Sequence, residues 1–333
     1  MTLVPSVLFV LAGCYLLEED ELAKPARACG DVDQRGVWMY RHPGNALGTD
    51  AFVGVDADEN TVVAQLGVDR VTRVYGNYGD RPRDDAGTIA AWNVKLADAG
   101  IESQLLVGDG DDIFPGCIDE LLVDIDERLI DFNAGTAAPN ERFTALHLDI
   151  EPQQFKLSEA FPETTSCGLR LPEWMFWDDL TNVEKGKRYA LLLFAFEQIR
   201  AHLDDNGASD IPIYADLAPW IDSSTSLDWS EASGITDGTD WLIQATAHID
   251  GMTLMTYERD NAPLIESAAT AELTVGTEVR VSVSAKERPP YSDAGSPLTW
   301  ASLADMWAVV EEIEVDACDD RPVDLFNYRY LHE

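Results

Sequence analysis

The stretch Phe143–Pro152, FTALHLDIEP, constrains the fold more than any other. A strand sends successive side chains to opposite faces. Thr144, Leu146, Leu148 and Ile150 then share one face, and Ala145, His147, Asp149 and Glu151 share the other. An apolar face needs a packed neighbour, whereas an imidazole and two carboxylates need water, polar partners or a substrate. A parallel barrel supplies both, with helices outside and a lumen whose C-terminal mouth carries the chemistry.

The rest of the chain fits that expectation. Strand-like segments at 36–41, 71–77, 101–108, 211–217, 251–257, 279–285 and 323–330 join this one. Between them, helical spacing is predicted over 56–66, 88–99, 118–132, 183–204, 239–249, 261–273 and 298–313. In the second of these helices Ile89, Trp92 and Leu96 make the inner stripe and Gly100 stops it. Strands alternating with helices imply a parallel sheet, and eight units imply closure. The predicted fold class is α/β, a single-domain (β/α)8 TIM barrel over residues 36–333. The competing fold is an open doubly wound sheet, but no glycine-rich phosphate loop follows any strand.

The chain carries 61 acidic residues against 23 basic ones, a formal net charge of −38. That excludes nucleic acid and anionic membrane surfaces as partners, since both would be repelled. Residues 2–13, TLVPSVLFVLAG, are apolar or small and precede Cys14. Leu11-Ala12-Gly13-Cys14 resembles the lipobox of bacterial lipoproteins, in which the cysteine is lipidated after cleavage. This implies a signal peptide over 1–13 and a lipid anchor on Cys14. An acidic tether over 14–35, including Glu18-Glu19-Asp20-Glu21, would follow, and the protein would sit in the cell envelope, at the outer membrane or cell surface. Four more cysteines suit an exported protein with disulfides. The barrel reading pairs Cys29 with Cys318 at the N-terminal face and Cys117 with Cys167 at the C-terminal face. No Cys/His spacing suggests zinc, and no cofactor is expected.

In a barrel the strand ends bring to one mouth Tyr40, Arg41 and His42; Asn77; Asp109; Asp149 and Glu151; Asp216; Tyr257 and Glu258; Lys286 and Glu287; and Tyr328 and Tyr330. Aromatic faces suit stacking on sugar rings, and carboxylates suit hydroxyl binding and acid catalysis. Asp149 and Glu151 are two residues apart, roughly 6.6 Å between Cα atoms on one strand face. Two carboxylates that close resist ionising together, so one pKa rises, as a general acid requires. The long segment from Gln153 to about Asn182 carries Trp174 and Trp177 and reads as a lid or binding loop.

LHLDIE resembles the strand-four signature of the chitinase-like glycoside hydrolases, Asp-Gly-x-Asp-x-Asp-x-Glu. Met255-Thr256-Tyr257-Glu258 resembles the Met-x-Tyr-Asp of their strand six. The resemblance implies that Glu151 is the general acid. Asp149 and Tyr257 would hold the N-acetyl group whose carbonyl oxygen attacks the anomeric carbon. Thr144 and His147 stand where that family has Asp, which alters the proton relay behind Asp149. His147 is expected to be a buried histidine bonded to Asp149.

Other readings stay open. A retaining pair of Glu151 with Glu287 as nucleophile needs carboxyl groups about 5–5.5 Å apart. Parity argues against it, since Glu287 continues the outer set Val279, Val281, Val283 and Ala285, while Arg280, Ser282, Ser284 and Lys286 point inward. A metal-dependent hydrolase could use His147, Asp149 and Glu151, and the loop with Asp109, Asp111 and Asp112 could hold calcium. A carbohydrate-binding barrel without chemistry is the non-enzyme alternative. The expected function is a retaining glycoside hydrolase, a monomer, acting on an envelope or extracellular polysaccharide. Tyr40, Asn77, Trp174, Trp177, Asp216, Trp220, Glu258 and Lys286 are the expected substrate contacts.

Overall fold

Eight parallel strands pair in chain order: β1 (Arg35–Met39), β2 (Val71–Gly76), β3 (Glu102–Val107), β4 (Ala145–Leu148), β5 (Ile213–Leu217), β6 (Gly251–Met255), β7 (Glu278–Ser284) and β8 (Val323–Phe326). β8 returns to β1, with Gly36 opposite Asp324 and Val37 opposite Leu325, so the sheet closes into a (β/α)8 barrel. The computed structural model describes residues 34–153, 177–257, 259–284, 300, 302–316 and 322–332.

Two-residue periodicity divides each strand. Val37, Val74, Leu105, Leu146, Leu148, Ile213, Leu254, Val281 and Leu325 are buried in the layer between sheet and helices. Trp38, Tyr75 and Leu106 form a separate apolar cluster on the lumen side. The main helices span Asp56–Val68, Ala86–Asp98, Pro115–Ile125, Asn182–Asp205, Gly238–Ala245, Ala262–Ala268 and Leu303–Asp316. The Asn182–Asp205 helix starts on a capping box: Thr181 Oγ1 accepts from Glu184 N (3.3 Å), and Thr181 N donates to Glu184 Oε2 (2.8 Å). Among the described residues no helix is long and apolar enough to cross a membrane.

Polar side chains fill the N-terminal half of the lumen. Asp324 is fully buried and accepts from Gly36 N (2.8 Å), Tyr75 Oη (3.0 Å), Thr253 Oγ1 (3.1 Å) and Arg280 Nε (2.9 Å). Arg280 and Arg73 both donate to Glu278, at 3.1 and 2.6 Å. Gly36 is required there, because a Cβ would lie 2.2 Å from Tyr75 Oη and 2.3 Å from Asp324 Oδ1. In this fold ligands are taken at the opposite, C-terminal mouth.

Three elements differ from expectation. β4 ends at Leu148, although Asp149 N still donates to Val107 O at 2.9 Å, so the inward alternation carries on past the strand. The expected strand 323–330 stops at Phe326, and Tyr328–His332 is helical, closed by Leu331 N on Asn327 O (3.4 Å). Tyr328 is thereby buried beside Phe52, ring centroids 6.3 Å apart, and is not a mouth residue. The helix expected over 118–132 begins at Pro115 and passes into a π turn at Asp126–Ile130.

Candidate active site

The inward face of β4 begins with His147, which is fully buried. Its ring stacks on Tyr75 at 3.9 Å, its Nε2 lies 2.9 Å from Asp216 Oδ1, and its Nδ1 lies 3.3 Å from Gln104 Oε1. The other Asp216 oxygen accepts from Trp38 Nε1 at 2.9 Å. Two expectations are corrected here. His147 pairs with Asp216 rather than Asp149. Asp216, 2 % exposed, is held inside the lumen rather than offered to a substrate. The reason is register: β4 and β5 place Leu148 opposite Ala215, so one step further Asp149 comes beside Asp216, with both on inward positions. Burial pushes the His147 imidazole down to about 3, leaving it un-ionised at neutral pH.

Asp149 and Glu151 continue that face. Tyr40 Oη donates to Asp149 Oδ2 (2.9 Å). Gln153 Nε2 donates to Glu151 Oε2 (2.7 Å), and Tyr189 Oη donates to Gln153 Oε1 (3.1 Å). Burial and the charge of Asp216 push Asp149 up to about 7. Burial pushes Glu151 well above the carboxylate range, and the neighbouring charges of Asp149 and Asp216 add to it. Both shifts favour a proton on the pair. Tyr40 and Tyr257 are both held well above their ordinary range, first by burial, so their hydroxyls remain donors.

Aromatic rings border the pair. Tyr257 and Tyr40 pack on Phe326 with centroids 4.8 and 5.8 Å away. On the Glu151 side, Trp177, Trp220 and Tyr189 lie within 5.8–5.9 Å of one another. Trp177 is nearly buried and Trp220 partly exposed. Asn77 turns back into its own loop, with its side-chain oxygen accepting from Gly79 N at 3.2 Å. In the acidic loop Asp112 Oδ2 accepts from Asp109 N (2.7 Å), and burial pushes Asp112 up to about 8. Among the described residues no group of three His, Cys, Asp or Glu side chains is placed to hold a metal ion.

Trp174, Glu258, Lys286, Glu287, Cys14, Cys29, Cys167 and Cys318 lie outside the described residues. Cys117 is buried in the first turn of the Pro115–Ile125 helix. Sequence reasoning missed Trp38, Gln104, Gln153 and Tyr189. Parity could have found two of them, since Trp38 precedes Tyr40 by two residues on β1 and Gln153 follows Glu151 by two.

No protein-family model and no curated protein matches the chain. Solved structures do. An endo-1,4-beta-mannanase from Rhizomucor miehei superposes with a TM-score of 0.54 at 12% identity, over 88% of this chain and 85% of that one. An intracellular xylanase from Thermoanaerobacterium saccharolyticum has a TM-score of 0.48 at 11% identity, over 89% and 86%. A family GH18 chitinase from Cycas revoluta has 0.46 at 8%, over 89% and 95%. The chain shares the (β/α)8 fold of the mannanase. At this identity the likeness speaks for the fold, and the chemistry has to be argued from the site.

Proposed function

We propose that the protein is a retaining glycoside hydrolase acting on an envelope or extracellular polysaccharide, with Glu151 as the general acid. The observation that carries this reading is the pair of carboxyls on successive inward positions, with Tyr40 Oη donating to Asp149 and Gln153 Nε2 donating to Glu151. A carboxyl that keeps its proton at neutral pH can give it to a glycosidic oxygen, and its ionised neighbour can stabilise the positive charge that develops on the sugar. Asp149 then orients and stabilises, and the Tyr257 hydroxyl supports the reacting sugar. The rings of Trp177 and Trp220, with Trp174 and Lys286, supply substrate contacts.

We also propose lipid anchoring at Cys14, an envelope location, and the pairings Cys29–Cys318 and Cys117–Cys167. The test of function is a screen of purified protein against chitin-type, peptidoglycan-type and plain β-glucan oligosaccharides, with Glu151→Gln as control. A hydrolase cleaves one class and loses turnover, but not binding, in the variant. A barrel that only binds sugar cleaves none and binds equally well in both forms.

A further inference from the structure

The Glu151 carboxyl meets an amide that the proposed mechanism does not use. We propose that Gln153 is the positioning residue for Glu151: directed by Tyr189, its amide N–H takes one carboxyl oxygen and leaves the transferable proton on the other. The inference rests on the reading of Glu151 as the general acid.

The sequence builds the contact locally. Pro152 disfavours the helical conformation at Glu151, so the backbone stays extended and the inward alternation of β4 reaches Gln153. Pro152 is buried, and its carbonyl oxygen accepts from Arg188 Nη1 at 3.4 Å. From the next position of the same helix, Tyr189 Oη donates to Gln153 Oε1 at 3.1 Å. The Tyr189 side chain is 1 % exposed and meets Trp177, Trp220 and Trp241 edge-on, with ring centroids 5.9, 5.8 and 5.7 Å away. Three indoles thus hold its hydroxyl in place.

A side-chain amide accepts at its oxygen and only donates at its nitrogen. With the Gln153 oxygen held by Tyr189, the nitrogen faces Glu151 and donates to Oε2 at 2.7 Å. That oxygen accepts, so the acid proton belongs on Oε1. The reversed amide would turn its oxygen to Glu151 and take that proton itself, withholding it from a leaving group. It would also turn its N–H toward Tyr189 Oη and leave the buried phenol proton without an acceptor among the described residues. A buried donor left unpaired is costly, so Tyr189 selects the orientation that serves the acid.

The test compares Gln153→Met, Tyr189→Phe and Glu151→Gln with the native protein on two glycosides of the sugar that is cleaved. One is a plain oligosaccharide, and the other carries a dinitrophenyl group, which departs without a proton. Gln153→Met keeps the length of the side chain and removes its donor. It should lower kcat on the oligosaccharide roughly 10–100-fold with KM within about twofold, and leave bond cleavage in the dinitrophenyl glycoside near native. The basic limb of its pH profile should move up, because the lost donor favoured the ionised carboxylate. Tyr189→Phe removes only the hydroxyl, lets the amide reverse, and should show the same pattern with a smaller loss. If Gln153→Met loses equally on both glycosides, or on neither, the proposal is overturned, while a selective loss in Glu151→Gln keeps the acid reading. Glu151→Gln without a selective loss, or a native protein that cleaves no glycan, removes the acid reading and the proposal with it. Should Gln153→Met not fold, Tyr189→Phe decides by the same comparison.

Discussion

At the scale of single residues, Glu151 and Asp149 combine a chemical advantage with a cost in stability. Both are pushed above the carboxylate range of the unfolded chain, about 4. A carboxyl raised on folding adds stability that is full below its unfolded pKa and is lost as pH rises through its folded one. For Asp149 that loss runs from about 4 to about 7. Glu151→Gln should therefore lose turnover on oligosaccharides yet be more stable than the native chain by about 1 kcal/mol near pH 8, with the gap closing toward pH 5. Urea unfolding at the two pH values checks this, and a variant less stable at pH 8 contradicts it. Tyr40→Phe removes the donor that lowers Asp149, so the acid limb of the activity profile should move up from about 7. Little change in KM is expected.

At the scale of elements, the strands were legible because their period of two is written directly in the residues. FTALHLDIEP and VRVSVSA both carry an apolar outer set and a polar inner one. Helix positions were legible from Ile89, Trp92 and Leu96 and from the stop at Gly100. The partners across the lumen were not legible. Parity says that Asp216 points inward, but which side chain it meets depends on the stagger of β4 against β5, which no local pattern records. That is why His147 was assigned to Asp149. Tyr328 misled for a different reason, since LFNYRY alternates like a strand while its last residues form the Tyr328–His332 helix. The buried layer beneath the site gives a prediction at this scale. Arg280→Met leaves Asp324 fully buried without its cation and should cost about 3–5 kcal/mol. Adding Asp324→Leu should restore much of that loss. A single variant with native stability in urea contradicts the account of the layer.

At the scale of the whole molecule, a net charge of −38 works against the compact state through self-repulsion. Salt screens exposed charges over a Debye length of about 10 Å at 0.1 M. The melting temperature should therefore rise as sodium chloride is added from low concentration, whereas a melting temperature independent of salt contradicts this. The same charge leaves the mouth unattractive to anionic polymers, so neutral or cationic oligosaccharides are the substrates to try first. The barrel itself does not choose the reaction, because one fold hosts many chemistries. The claim that decides the function is that Glu151 protonates the leaving group. It is tested most directly by comparing Glu151→Gln with the native protein on two glycosides of the sugar that the screen selects. One is the plain oligosaccharide, whose leaving group needs a proton. The other carries a dinitrophenyl leaving group, which does not. The account predicts a roughly 10²–10⁴-fold loss of turnover on the first and near-native rates of bond cleavage on the second. An equal loss on both, or no loss on either, contradicts it.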